Sequence, residues 1–202
     1  MIALFFDTET TGIKTWKDPE FKPALVQLGA ILQHVESGRV LAEVNLIANQ
    51  YQGKKIPAEA AAVHGITDDL AENYGVDPKL IDIIFAALLK KTDILVAHNM
   101  DYDLDIMHDN LPISWNHKPV GEDKYFCTMD RNVMNVKAPH SDKAKRYFSS
   151  KGEKPKAPYK VPSLMETYQF YFGTGFEGAH DAMADIRACR DIFFKMVGQH
   201  DN

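Results

Sequence analysis

The chain has 202 residues, 45% hydrophobic and 25% charged, with a net charge of −5 and two cysteines. That length supports a full core, the composition is ordinary for a globular protein, and no stretch approaches the ~20 apolar residues of a membrane span. Cys127 and Cys189 are far apart, which argues against a disulfide framework or a thiolate zinc site and for a reducing cytoplasm, while the acidic balance at first argues against a nucleic-acid partner.

Ile2, Ala3, Leu4, Phe5 and Phe6 form an apolar run that turns polar at Asp7, Thr8, Glu9, Thr10, Thr11 and Gly12. Such a run reads as a buried strand ending in a turn. Side chains two apart share a strand face, so Asp7 and Glu9 point the same way. Two neighbouring carboxylates that lose water repel each other, and Mg²⁺ or Mn²⁺ would remove the repulsion. A fraying, solvated strand end would also accommodate them. Residues 13–23, with Trp16 and two prolines, read as a loop. Residues 24–35 and 40–48 are apolar-rich and joined by Glu36, Ser37, Gly38 and Arg39, a hairpin signal. The three runs together predict an antiparallel start.

A short helix is expected over 58–63, followed by His64, Gly65 and Ile66, with Thr67 capping the next helix. Residues 78–91 read as a helix apolar nearly all round and hence buried on most sides. Residues 94–97 read as a buried strand ending at His98 and Asn99, with Asp101, Asp103 and Asp105 opening the helix beyond. Strand, helix and strand in that order argue for an α/β architecture with its site at the strand ends. A short strand is expected at 125–128 and a helix at 129–136. Ser163 and Glu166 form a capping box for a helix over 164–172. In the last helix, 181–197, Ala182, Ile186, Cys189, Phe193 and Met196 make an apolar stripe at ~100° per residue. Asp185 falls about 60° from the centre of that stripe, on the packed half, where a carboxylate needs a partner. Asp181 reads as the N-cap, and His180 precedes it.

Between 137 and 160 the charge reverses. Eight basic residues, including Lys143, Lys145 and Arg146, face two acidic ones, so the segment carries +6 and the remainder −11. It shows no apolar periodicity and reads as an irregular basic loop, either merely solvated or contacting phosphates.

Taken together, these motifs resemble those of the DEDDh family, the DnaQ-like 3′–5′ exonucleases. Asp7-Thr8-Glu9 matches its Asp-x-Glu motif, with Thr11-Gly12 following. Asn99 with Tyr102-Asp103 matches the second motif, and His180 with Asp185 the His-x4-Asp third. His64 to Thr67 and Cys127 to Met129 also look like family signatures. The resemblance implies a ribonuclease H-like α/β fold: a mixed five-stranded sheet, its first three strands antiparallel, flanked by helices. One domain over 1–202 is expected, with a basic insertion at 137–160.

The resemblance further implies two Mg²⁺ or Mn²⁺ ions roughly 3.5–4 Å apart, held by Asp7, Glu9, Asp103 and Asp185. His180 would accept a proton from the attacking water. Thr8, Thr10, Thr11, Gly12, His64, Asn99 and Tyr102 would meet the terminal nucleotide, and Lys143, Lys145 and Arg146 the incoming backbone. The implied substrate is the 3′ end of single-stranded nucleic acid, DNA favoured over RNA, although these motifs do not themselves separate the two. A polymerase or repair partner would be a separate chain, and no membrane is involved. Alternative expectations are RNA trimming, or binding without catalysis.

Overall fold

The apolar run after Met1 becomes the central strand, β1 (Ile2–Thr10). The computed structural model describes residues 1–13, 18, 20–49 and 55–198, so Trp16 and part of the expected 13–23 loop lie outside it. β1 pairs antiparallel with β2 (Leu25–His34), and β2 pairs antiparallel with β3 (Val40–Ile47). Gly38 turns the hairpin with φ at 67°. On the other side of β1 run β4 (Ile94–Ala97) and β5 (Tyr125–Cys127), both parallel to it. The sheet order is β3-β2-β1-β4-β5, the mixed five-stranded arrangement that the motifs imply.

Nine α-helices are described: α1 (Ala58–His64), α2 (Asp68–Tyr74), α3 (Pro78–Leu89), α4 (Met100–Asn110), α5 (Pro112–Trp115), α6 (Val133–Val136), α7 (Asp142–Ser150), α8 (Leu164–Phe172) and α9 (Ala182–Met196). Among the described residues, none is long and apolar enough to cross a membrane. The expected caps are present. Thr67 accepts the Leu70 amide, Asp181 accepts the Met183 and Ala184 amides, and Ser163 and Glu166 cap α8 reciprocally.

Three expectations are corrected. α3 is not buried on most sides as expected: Leu80 and Ile83 are about half exposed, while Asp82 is buried. Its carboxylate accepts the Ile113 and Ser114 amides at 2.8 and 2.7 Å, so a charged side chain takes a core position by capping α5. The helix expected over 129–136 is a 3₁₀ turn, Asp130–Asn132, followed by the single α turn of α6. The basic segment is not wholly irregular, because it contains α7, started by Ser141 accepting the Ala144 amide. α7 has no buried residue, so it leaves no apolar stripe for the sequence to reveal.

Alternation along β1 divides the core. Leu4 and Phe6 face α3 and α4, packing with Ile81, Phe85 and Met107. Ala3 and Phe5 face α9, packing with Ile186, Cys189 and Phe193. Asp7 and Glu9 continue this second face. Across the strand pair Asp7 lies opposite Gly29. A Cβ on Gly29 would stand 2.5 Å from Ile186 Cδ1 and 3.3 Å from the Ala182 carbonyl carbon. The missing side chain therefore lets the start of α9 close onto the sheet.

Gly29→Val should destabilise the fold by about 1–3 kcal/mol, the usual cost of overpacking, as measured by urea unfolding. Unchanged stability would mean that α9 does not depend on this close approach.

Candidate active site

The polar residues that end β1 and β4 meet side chains from both helical layers. They line a cavity of about 460 Å³. Of the expected residues, Asp7, Thr8, Glu9, Asn99, Tyr102, Asp103, His180 and Asp185 line it, together with Ile13, His98, Met129 and residues 160–164. A cleft at the carboxyl ends of sheet strands is the usual ligand position in α/β folds.

Each acid is held from a different direction. Asp7 and Glu9 come from β1. Asp103, only 2% exposed, comes from the first turn of α4. Its Oδ1 accepts the Thr8 amide at 3.1 Å and the Thr8 hydroxyl at 2.8 Å. Alternation explains this pairing, since Thr8 points to the α4 side of the sheet while Asp7 and Glu9 point to the α9 side. Asp185 sits in the first turn of α9, and both its oxygens accept the His180 amide at 3.3 Å. The His180 backbone is left-handed, φ 71°, a conformation uncommon for a residue with a Cβ. Asn99, at the end of β4, shares that conformation with φ 78°. Ligand atoms of Glu9, His180 and Asp185 all lie within 4.8 Å of one another, close enough to hold one metal ion. The hard carboxylate oxygens of this group suit Mg²⁺ or Mn²⁺.

The electrostatics reflect the crowding. Burial pushes the Asp7 carboxyl well above the usual range, and Asp103, Asp185, Glu9 and Asp181 push it further. Glu9 is pushed up to about 8, by burial first and then by Asp185, Asp103 and Asp181. Burial raises Asp103 to about 7 against the donors on Thr8. It raises Asp185 to about 6 against the pull of His180. Asp181, the cap of α9, thus adds its charge to the cluster.

Other expected residues shape the surroundings. The Tyr102 and Thr10 hydroxyls are 2.6 Å apart, and both reach the Gly12 carbonyl, at 3.0 and 2.7 Å. Thr11 is pinned to Ala24 by two hydrogen bonds, its amide donating at 3.0 Å and its hydroxyl accepting at 2.9 Å. Thr8, expected to meet a nucleotide, is buried and gives its hydroxyl to Asp103. His64 lies off the cavity lining. Its Nδ1 accepts the Ile66 amide, and its buried Nε2 has no hydrogen-bond partner. The Thr10 backbone acts on that ring, favouring its charged form against the larger effect of burial. Lys143, Lys145 and Arg146 are exposed on α7 and do not line the cavity.

Two lining residues carry no motif signal of their own. His98 donates from Nε2 to the Pro162 carbonyl at 3.1 Å and meets the Thr128 hydroxyl at 2.9 Å through Nδ1. Burial lowers it to about 4, so the ring is neutral and the wall at 160–164 is tied to the end of β4. Lys160 is one of many lysines in a basic run, and only the folded chain separates it from the others.

The family described as RNase_T: Exonuclease matches residues 4–193. A curated relative, DNA polymerase III subunit epsilon of Treponema pallidum (strain Nichols), is 25% identical over 197 residues, covering 96% of this chain and 76% of its own. The same subunit of Buchnera aphidicola subsp. Schizaphis graminum is 26% identical over 138 residues, 62% of this chain and 51% of that one. Among solved structures, E. coli exonuclease I in complex with a dT13 oligonucleotide superposes with a TM-score of 0.64 at 20% identity, over 96% of this chain. This chain spans 41% of the length of that exonuclease I.

The raised carboxyls fix the sign of a pH effect. Between about pH 4 and 8 the folded, metal-free protein holds protons that the unfolded chain has released. Stability therefore falls as pH rises through that window. Thermal melts in EDTA should show a lower midpoint at pH 8 than at pH 5. Asp7→Asn should raise the midpoint at pH 8, each kcal/mol relieved being worth about 2–4 °C. A midpoint that rises from pH 5 to 8, or that falls on substitution, would contradict the clustering.

Proposed function

The chain belongs to the RNase_T exonuclease family, the DnaQ-like 3′–5′ exonucleases of the ribonuclease H-like superfamily, and on that basis we propose that it removes nucleoside 5′-monophosphates from the 3′ end of single-stranded DNA with divalent metal ions. The observation that carries this reading is the meeting of Glu9, His180 and Asp185 within 4.8 Å at the mouth of a cavity that also holds Asp7 and Asp103. Buried acids of one sign give a fold nothing by themselves, whereas they suit metal-assisted phosphodiester hydrolysis.

Asp7, Glu9, Asp103 and Asp185 would hold two Mg²⁺ or Mn²⁺ ions. When bound, such ions polarise a phosphoryl oxygen and acidify a water molecule. The protein's own residues do the rest. Thr8 fixes the Asp103 carboxylate, and the His180 amide fixes that of Asp185. The His180 ring accepts the proton of the attacking water, a task suited to an imidazole near neutral pH. The water oxygen bonds to phosphorus as the bond to the 3′ oxygen breaks; that oxygen takes a proton from solvent, leaving a shortened strand with a 3′ hydroxyl and a nucleoside 5′-monophosphate. Asn99 and Tyr102 border the terminal nucleotide, while Thr10, Thr11, Gly12 and His64 support the loop beside it. Lys143, Lys145 and Arg146 on α7 hold the backbone farther from the end. DNA is favoured over RNA because the relatives are named as DNA polymerase III subunits. The same names support a polymerase partner on a separate chain. Residues 1–202 act as one domain in this reading.

A 5′-labelled single strand with Mg²⁺ should give a ladder of shortened products, and Asp7→Ala should abolish it. His180→Ala should lower the rate by roughly 10²–10⁴ with the melting curve unchanged. An intact band with wild-type protein, or near wild-type turnover by either variant, would overturn the reading. Neutralising Lys143, Lys145 and Arg146 should flatten the salt dependence of binding by about 0.7 for each phosphate no longer neutralised. An unaltered slope would remove α7 from the substrate path.

A further inference from the structure

The cavity poses a problem that its acids do not solve. A nucleic-acid strand brings one negative charge per phosphate, and the cavity it would enter is lined by Asp7, Glu9, Asp103 and Asp185. Among the described residues that line the cavity, Lys160 is the one lysine or arginine. It stands where the basic segment ends. Its amide donates to the Ala138 carbonyl at 3.0 Å, closing the segment at its base. Two residues later, the Pro162 carbonyl accepts His98 Nε2, so the wall that carries Lys160 is fixed to β4.

The Lys160 ammonium lies 2.5 Å from Glu166 Oε2, with 34% and 36% of the two side chains exposed. The same Glu166 oxygen accepts the Ser163 amide at 2.8 Å as half of the α8 capping box. The capping role of Glu166 therefore stands without the lysine, and a partly exposed ion pair is weak enough to exchange.

We propose that Lys160 is a phosphate-binding residue of this cavity, its ammonium leaving Glu166 for a non-bridging oxygen of the strand that enters beside Asp7 and Glu9. The assignment rests on the reading of the cavity as a site for nucleic-acid 3′ ends. Glu166 is then a competitor for the lysine: it holds the ammonium at the cavity mouth until a phosphate replaces it. The exposed cations of α7 lie off the cavity and serve phosphates farther along the strand.

The test uses the full chain and a fluorescein-labelled thymidine dodecamer, with calcium in place of magnesium and binding read by anisotropy. Lys160→Gln should weaken binding at least about tenfold, as expected when a charge-assisted hydrogen bond is removed. It should lower the salt slope by about 0.7, and Lys160→Arg should retain both. Glu166→Gln keeps an acceptor for the Ser163 amide but releases the lysine, so it should tighten binding by about two- to fivefold. A purely structural ion pair would move both glutamine variants in the same direction, and that result, or no change in either, overturns the assignment while leaving the exonuclease reading intact. Wild-type protein that binds no dodecamer overturns both. Should Lys160→Gln fold poorly, the sign of the Glu166→Gln effect decides.

Discussion

Repulsion among carboxylates held together at one end of β1 is the constraint on which the structure turns. Desolvation favours the neutral acid at Asp7, Glu9, Asp103 and Asp185, and like charge adds to it at Asp7, Glu9 and Asp185. An unconstrained chain would separate them. They stay together because β1 is packed on both faces: Leu4 and Phe6 against α3 and α4, Ala3 and Phe5 against α9. The hydrophobic core thus offsets an electrostatic penalty concentrated at the edge of the same strand.

The two helical layers reach the strand end differently. α4 brings Asp103 over the sheet to Thr8, a pairing made possible by Thr8 pointing opposite to its neighbours. α9 brings Asp185 from the other side, and its approach depends on Gly29 lying opposite Asp7. The left-handed backbone at His180 turns the chain so that its amide meets Asp185. Rigid elements therefore set the acids, while the imidazole stands on an exposed turn.

Much of this was legible in the sequence because local patterning and tertiary packing agree. The apolar run into Asp7, the hairpin at Gly38, the caps at Thr67, Ser163 and Asp181, and the stripe of α9 each appear as expected. Spacing alone also indicated that Asp185 falls on the packed half of its helix. The failures share one cause: burial and sequence polarity part company. Asp82 is polar but buried because it caps α5 from a distance, and Leu80 and Ile83 are apolar but exposed. α7 buries nothing, so no periodicity announces it. His98 and Lys160 acquire meaning only from partners about 64 and six residues away, pairings that no local pattern encodes. Thr8 was readable as part of a motif, but its hydrogen bonds to Asp103 required the fold.

The basic segment is stitched shut at its base, by Lys160 to Ala138 and by His140 to the Ala157 carbonyl at 2.9 Å. Whatever lies beyond those stitches can lengthen, shorten or change sequence without tugging on the acids, since the strain of an altered loop ends at the seam. Selection can thus remodel the outer reach of the molecule while its chemistry stays put, as a handle may be refitted to an unchanged blade.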